Sequence, residues 1–341
     1  MVEDRIALMG VPGSPYTRKM LALLRYRRIP YRFLVAGGAQ AAAMPEPRVR
    51  LMPTFFLPGP SGELEAVTDS SPILRRLERE HAGRSVIPAD PALAFLDELI
   101  EDYADEWLTK AMFHYRWAFA ADIAKASQIL PLWRNTAMSA EALAQVARTI
   151  GERQIGRLRF VGSNEVTGPV IEASYRRFLE AFEAHLSVRP FVLGARPAAC
   201  DFAVHGQLTQ LAQFDPTPME LTARVAPRVT AWVGLMEDLS GLEPQDGDWL
   251  DLDALPPTLL TLLADIGRVY PPVMLANAAA LAEGRDGIET EVDGHVWTQA
   301  PFPYQAKCLT WLRQSHDALA PVAREAVDAV LADTGCLALF A

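Results

Sequence analysis

Apolar and polar positions along this chain change period more than once. Ile6–Met9 is a short apolar run stopped by Gly10, Pro12 and Gly13, the pattern of a buried strand entering a turn. From Pro15 the spacing becomes helical, with Met20, Leu21, Leu24 and Ile29 apolar among basic residues, until Pro30. Tyr31–Val35 reads as a second strand, which makes a parallel βαβ unit, and the Gly/Ala-rich stretch Ala36–Met44 predicts no element. Pro53–Leu57 and Glu63–Val67 read as strands around a Pro58–Gly62 turn, and Asp69–His81 reads as a helix. Beyond the Ile87–Pro91 linker, strand signals give way to amphipathic helices as far as about Leu239. The clearest stripe is Leu96, Ile100, Tyr103, Trp107, Ala111 and His114, with further helices over 138–154, 168–187, 200–212 and 227–239. After Gly247 the pattern predicts helices over 256–268 and 271–283, a hairpin in Glu289–Gln299 turning at Asp293–Gly294, and two more helices.

The 341 residues, half of them apolar, are enough for more than one core. The expected division is 1–84, an α/β domain; 91–245, an all-helical domain; and 246–341, a mostly helical extension with a β-hairpin. Neither an uncharged apolar run of membrane-spanning length nor a secretory leader pattern is found, so the expectation is a cytoplasmic protein with no membrane partner. Cys200, Cys308 and Cys336 are widely spaced and suit a reducing compartment. The net charge of −10 and the lack of a basic stripe argue against nucleic acid as a partner. Runs such as Arg25–Arg28 are read as solvated helix ends. The cysteines and the six histidines show no metal-ligand spacing, so no metal is expected.

Gly13–Ser14–Pro15–Tyr16–Thr17–Arg18–Lys19 lies between the first strand and the first helix, Met52–Pro53 precedes a strand, and Thr68–Asp69–Ser70–Ser71–Pro72–Ile73 opens a helix. Phe191–Gly194 and Asp201–Phe202 flank a later helix start. In this order the four segments resemble the glutathione transferase superfamily over about residues 4–240. The first is similar to the S-P-Y/F-x-R-K of many bacterial members, the second to a V-P pair with a cis proline, the third to E/D-S-x-A-I, and the fourth to F-x-x-G…S/T-x-A-D-F. The resemblance implies a thioredoxin-like glutathione-binding domain, an all-α transferase domain and a homodimer. The activity it implies is attack of glutathione on a hydrophobic small molecule, as in detoxification. Met52 and Pro53 would pair with the cysteinyl part of glutathione, and Asp69 and Ser70 would take its γ-glutamyl end. The chain departs from the pattern at Ala198, where a Ser or Thr N-cap is usual, a loss of about 1 kcal/mol that Asp201 partly offsets. It also departs at Leu51, where Lys or Gln is usual beside Arg48 and Arg50.

The chemistry follows from the thiol. Its pKa near 8.5 leaves little thiolate at neutral pH, so a hydroxyl donor and a helix N-terminus are needed to stabilise the anion. Ser14 fits both, Tyr16 and Thr17 are the alternative donors, and Ser14 serves equally as a plain N-cap. Asp69 and Ser70 likewise serve as cap or as ligand contacts. With serine at 14 and threonine at 17, dithiol exchange is excluded. Tyr103, Trp107 and His114 are read either as the co-substrate wall or as core. The extension, rich in Trp297, Phe302, Tyr304 and Trp311, is read as added core or as a lid. A binding protein that holds glutathione or an apolar ligand without turnover is the competing reading.

Overall fold

In the computed structural model, which describes residues 5–341, the N-terminal apolar runs assemble into one mixed sheet. Strands β1 (Ile6–Gly10), β2 (Tyr31–Val35), β3 (Thr54–Pro58) and β4 (Leu64–Thr68) lie in the order β2-β1-β3-β4. β2 runs parallel to β1, with Leu8 opposite Phe33, whereas β3 runs antiparallel to β1 and β4 antiparallel to β3. Helices α1 (Pro15–Tyr26), the one-turn α2 (Ala39–Ala42) and α3 (Ser70–Glu80) complete this thioredoxin-like unit. Leu8, Phe55, Leu57, Met20, Leu24, Ile73 and Leu77 are fully buried between the sheet and the two longer helices.

The helical remainder begins with α4 (Pro91–Tyr103), a π-helical turn at Ala104–Leu108, and α5 (Thr109–Ala118). The stripe from Leu96 to His114 therefore runs along one rod with a wider turn at its middle. Next come α6 (Ala120–Leu132), α7 (Ala140–Ile155), α8 (Gly168–Leu186), α9 (Ala199–Leu211), α10 (Pro216–Val225) and α11 (Pro227–Leu235). α9 is buried along its whole length and crosses α1 at Gly206, where a Cβ would come within 2.5 Å of the Pro15 carbonyl oxygen. Only glycine permits so close an approach.

The Ala198 departure is repaired from elsewhere. Asp201 Oδ2 accepts from the Ala198 N–H at 2.9 Å, which is half of a capping box. The cap that alanine cannot supply comes from α4, where Asp97 Oδ1 accepts from the Cys200 N–H at 2.8 Å. Burial raises the pKa of Asp97 to about 8 and that of Asp201 to about 7.

One expectation changes after α11. The helices expected over 256–268 and 271–283 are one helix, α12 (Pro257–Ala282), which runs through Pro271 and Pro272. Burial of Ile266, Val269, Tyr270, Val273 and Met274 on both sides of the prolines outweighs two lost backbone donors, each interruption costing about 3 kcal/mol. By length and composition α12 could cross a membrane, but over half of its apolar window is buried inside the fold. The hairpin forms as β5 (Ile288–Val292) and β6 (His295–Gln299), with Asp293 and Gly294 both at positive φ. α13 (Pro303–Ala318) and α14 (Pro321–Leu331) pack along α4. Trp297 is fully buried with its ring 5.3 Å from that of Trp107, so this region extends the same core.

The basic run at the end of α1 is only partly solvated: Arg28 is exposed, Arg25 half-buried and Arg27 buried. Arg27 is buried on Glu78 and the carbonyls of His81 and Gly83. Arg18 and Arg25 share Glu237, and Arg28 and Arg84 share Glu243. These cations tie the thioredoxin-like unit to the segment after α11, a role that needs distant partners such as Glu237, 212 positions from Arg25.

Candidate functional site

Ser14 is the N-cap of α1: its Oγ accepts from the Thr17 N–H at 3.2 Å and donates to the Met52 carbonyl at 3.3 Å. The Met52–Pro53 peptide is cis. Ser14, Met52 and Pro53 thus meet at the positive end of α1, where an anion is favoured. The turn before Ser14 is gripped from the helical side. Arg116 donates to the Gly13 carbonyl at 3.1 Å and Gln210 to the Pro12 carbonyl at 3.1 Å, while Asp215 and Gln210 hold the guanidinium. A side chain on Gly13 would strike Leu130 and Trp133 at the end of α6.

The other two hydroxyls of the motif are committed elsewhere. Tyr16 donates to the Asp105 carbonyl at 2.8 Å, and burial raises its pKa well above the usual tyrosine value. Thr17 is fully buried beneath Gly10, with no hydrogen-bond partner for its Oγ1 among the described residues. Below them Lys19, also fully buried, donates to Glu101 at 2.7 Å, Asp105 at 2.6 Å and Ser71 at 3.2 Å. Arg75 adds a second cation on Glu101 at 2.6 Å. Against a burial that would raise it, the two cations hold Glu101 down at about 2, whereas Asp105, desolvated and facing Glu101, is raised to about 6. This network joins the start of α3 to the motif helix. Asp105 sits in the π-helical turn, which sequence periodicity reads only as a stripe.

Asp69 and Ser70 stand at the start of α3, but Asp69 makes no side-chain cap bond. Its backbone lies at φ 86°, and its Oδ2 accepts from Tyr304 at 2.8 Å. Arg48, Arg50 and Leu51 are exposed on the loop before Met52. The candidate site therefore gathers Ser14, Met52, Pro53, Asp69 and Ser70 along one edge of the sheet.

Tyr103, Trp107 and His114 lie apart from that edge. Tyr103 packs against Phe178 and Tyr270, and Trp107 donates to Ser174 at 3.2 Å. His114 pairs with Ser163 at 2.8 Å and Glu172 at 3.3 Å. All three are buried, and none lines either of two cavities on the surface, one at the end of α1 and one between α3, α4 and α13. Their side chains belong to the core. Arg116, Gln210 and Tyr304 were not legible as site residues, because their role depends on contacts of long sequence separation.

Residues 8–85 match the family described as glutathione S-transferase, N-terminal domain. The match spans the first unit, roughly a quarter of the chain. Among curated proteins, none matches the chain. Solved structures similar to it include a glutathione transferase family member from Pseudomonas fluorescens Pf-5 with two glutathione bound, 14% identical, covering 69% of this chain and 89% of its own, at a TM-score of 0.44. A glutathione transferase from Burkholderia graminis is 15% identical, covers 76% and 88%, and has a TM-score of 0.42. A Tau class glutathione S-transferase from mango is 15% identical, covers 72% and 96%, and also has a TM-score of 0.42. TM-scores this low leave the fold to rest on the sheet order and on the glutathione S-transferase N-terminal match.

Proposed function

We propose that the chain binds glutathione along Ser14, Met52–Pro53 and Asp69–Ser70 and stabilises its thiolate for attack on a hydrophobic electrophile. The observation that carries this reading is Ser14 Oγ at the N-terminus of α1, 3.3 Å from the carbonyl that precedes Pro53, inside the segment of family character. On binding, the Ser14 hydroxyl turns from the Met52 carbonyl to the sulfur, the thiol proton leaves to solvent, and the helix N-terminus favours the anion that remains. The thiolate then forms a carbon–sulfur bond and the electrophile's leaving group departs with the electron pair. Met52 offers backbone hydrogen bonds to the cysteinyl unit, Ser70 and the α3 N-terminus face the γ-glutamyl carboxylate, and Asp69 faces the ammonium. Leu130 and Trp133, beside Gly13, replace Tyr103, Trp107 and His114 as the candidate apolar wall.

A second reading, glutathione binding without turnover, is favoured by the same hydroxyl, since Ser14 Oγ is already satisfied as cap acceptor and as donor. Retention on immobilised glutathione, followed by an assay with an aryl halide, separates the two. Retention with turnover supports the enzyme, retention alone supports the binding protein, and neither contradicts both.

A further inference from the structure

Asp69 and Tyr304 are 235 positions apart in sequence, yet their side chains meet at 2.8 Å. The contact does not come from a loosely placed side chain. Asn277 of α12 clamps the backbone just before Tyr304, accepting from the Phe302 N–H at 2.7 Å and donating to its carbonyl at 3.0 Å. On the other side, Gln305 donates to the Glu106 carbonyl at 3.1 Å in the π-helical turn. The first turn of α13 is therefore fixed against both α12 and the π-helical turn, and the Tyr304 hydroxyl is delivered to the start of α3.

What Tyr304 leaves undone is as informative as the bond it makes. Among the described residues Tyr304 is the side-chain partner of Asp69, on Oδ2, and no Lys, Arg or His pairs with it. A neutral donor on Oδ2 leaves the pairing of this carboxylate with a cation to the ligand. One oxygen is fixed and the other is open, which lowers the rotamer entropy that a cation would otherwise have to overcome on binding.

Resting on the reading of this edge as a glutathione site, we infer that Tyr304 is a positioning residue for the γ-glutamyl ammonium: it fixes the Asp69 carboxylate through Oδ2 and leaves Oδ1 to the ligand. The region after α11 is then part of ligand recognition as well as of the core, and it selects for a primary amine at that end of the ligand.

The test compares two ligands on two proteins by calorimetry. One ligand is glutathione; the other is the analogue whose γ-glutamyl group is replaced by glutaryl, of the same length but without the ammonium. Tyr304→Phe removes only the hydroxyl, and an unchanged melting temperature of the free protein checks that the fold is intact. The inference expects Tyr304→Phe to weaken glutathione by roughly 10-fold and to leave the glutaryl analogue within about 2-fold. Equal losses for both ligands would reduce Tyr304 to a structural role and overturn the inference, as would unchanged or tighter glutathione binding in Tyr304→Phe. If the unmodified protein binds no glutathione at all, the site reading itself fails and the inference falls with it, a result distinct from the other two.

Discussion

Replacing Lys19 by Met removes one positive charge from a site with almost no solvent and leaves a side chain of similar length. Lys19 Nζ lies 2.7 Å from Glu101 and 2.6 Å from Asp105, and its side chain is 1% exposed. Glu101 keeps Arg75 as a partner, but Asp105 has no second cation within salt-bridge distance among the described residues. The loss is therefore that of a buried ion left alone, about 3–5 kcal/mol, rather than the small value of a surface pair. At roughly 2.1 cal/mol/K per residue, 341 residues give an unfolding entropy of about 0.7 kcal/mol/K, so the melting temperature should fall by roughly 4–7 °C if unfolding is cooperative. The deficit should depend on pH with a definite sign. Asp105, at about 6 even with the cation present, must rise further without it, so acid protonates it and removes the penalty. Urea denaturation at pH 8 and at pH 5.5 should show the difference between Lys19→Met and the unmodified protein shrinking on the acid side. A difference below about 1 kcal/mol at pH 8, or one that grows toward pH 5.5, would refute the assignment of Lys19 as the charge that holds this junction.

Two further outcomes are expected. Gly206→Ala should cost about 1–3 kcal/mol by urea denaturation, because a methyl group placed 2.5 Å from the Pro15 carbonyl must push α1 and α9 apart. Asp97, at about 8 in the fold and near 3.9 when unfolded, binds its proton more tightly when folded, so its contribution to stability is lost as pH rises between these values. The isosteric Asp97→Asn keeps an acceptor for the Cys200 N–H and has no proton to lose, so its melting temperature should fall less than that of the unmodified protein between pH 5 and pH 8.

Much of the N-terminal unit is legible because its determinants are local. Gly10, Pro12 and Gly13 end β1 and Ser14 and Pro15 open α1, and in the later region Asp293–Gly294 turns the hairpin, each within a few residues. What stays hidden depends on distant partners or on packing that overrides a local rule. Arg25 and Arg27 look like a solvated helix end, as Arg28 is, until Glu237 and Glu78 arrive from other elements. Pro271 and Pro272 signal a break, which burial on both sides overrides. Ala198 looks uncapped because the substitute acceptor, Asp97, lies 103 positions before Cys200. For the site, the motif favours Ser14 and keeps Tyr16 and Thr17 as alternative donors, and the fold then sets a hydroxyl beside Met52 apart from one pinned to Asp105 and one sealed beneath Gly10. The aromatic content around Tyr304 could not reveal that its hydroxyl reaches Asp69, since a separation of 235 positions leaves no periodic trace.

The state of the sulfur next to Ser14 decides whether this edge of the sheet activates a thiol. Ultraviolet absorbance of the thiolate, followed against pH with glutathione bound, reports its pKa directly. With Ser14 donating one hydrogen bond to the anion, worth roughly 1.5–3 kcal/mol, the bound thiol should titrate below the free value of about 8.5. In Ser14→Ala the midpoint should move up by about 1 to 2 pH units, with the rate toward an aryl halide falling about 10-fold or more. The same thiol midpoint in both proteins would contradict thiolate stabilisation by Ser14.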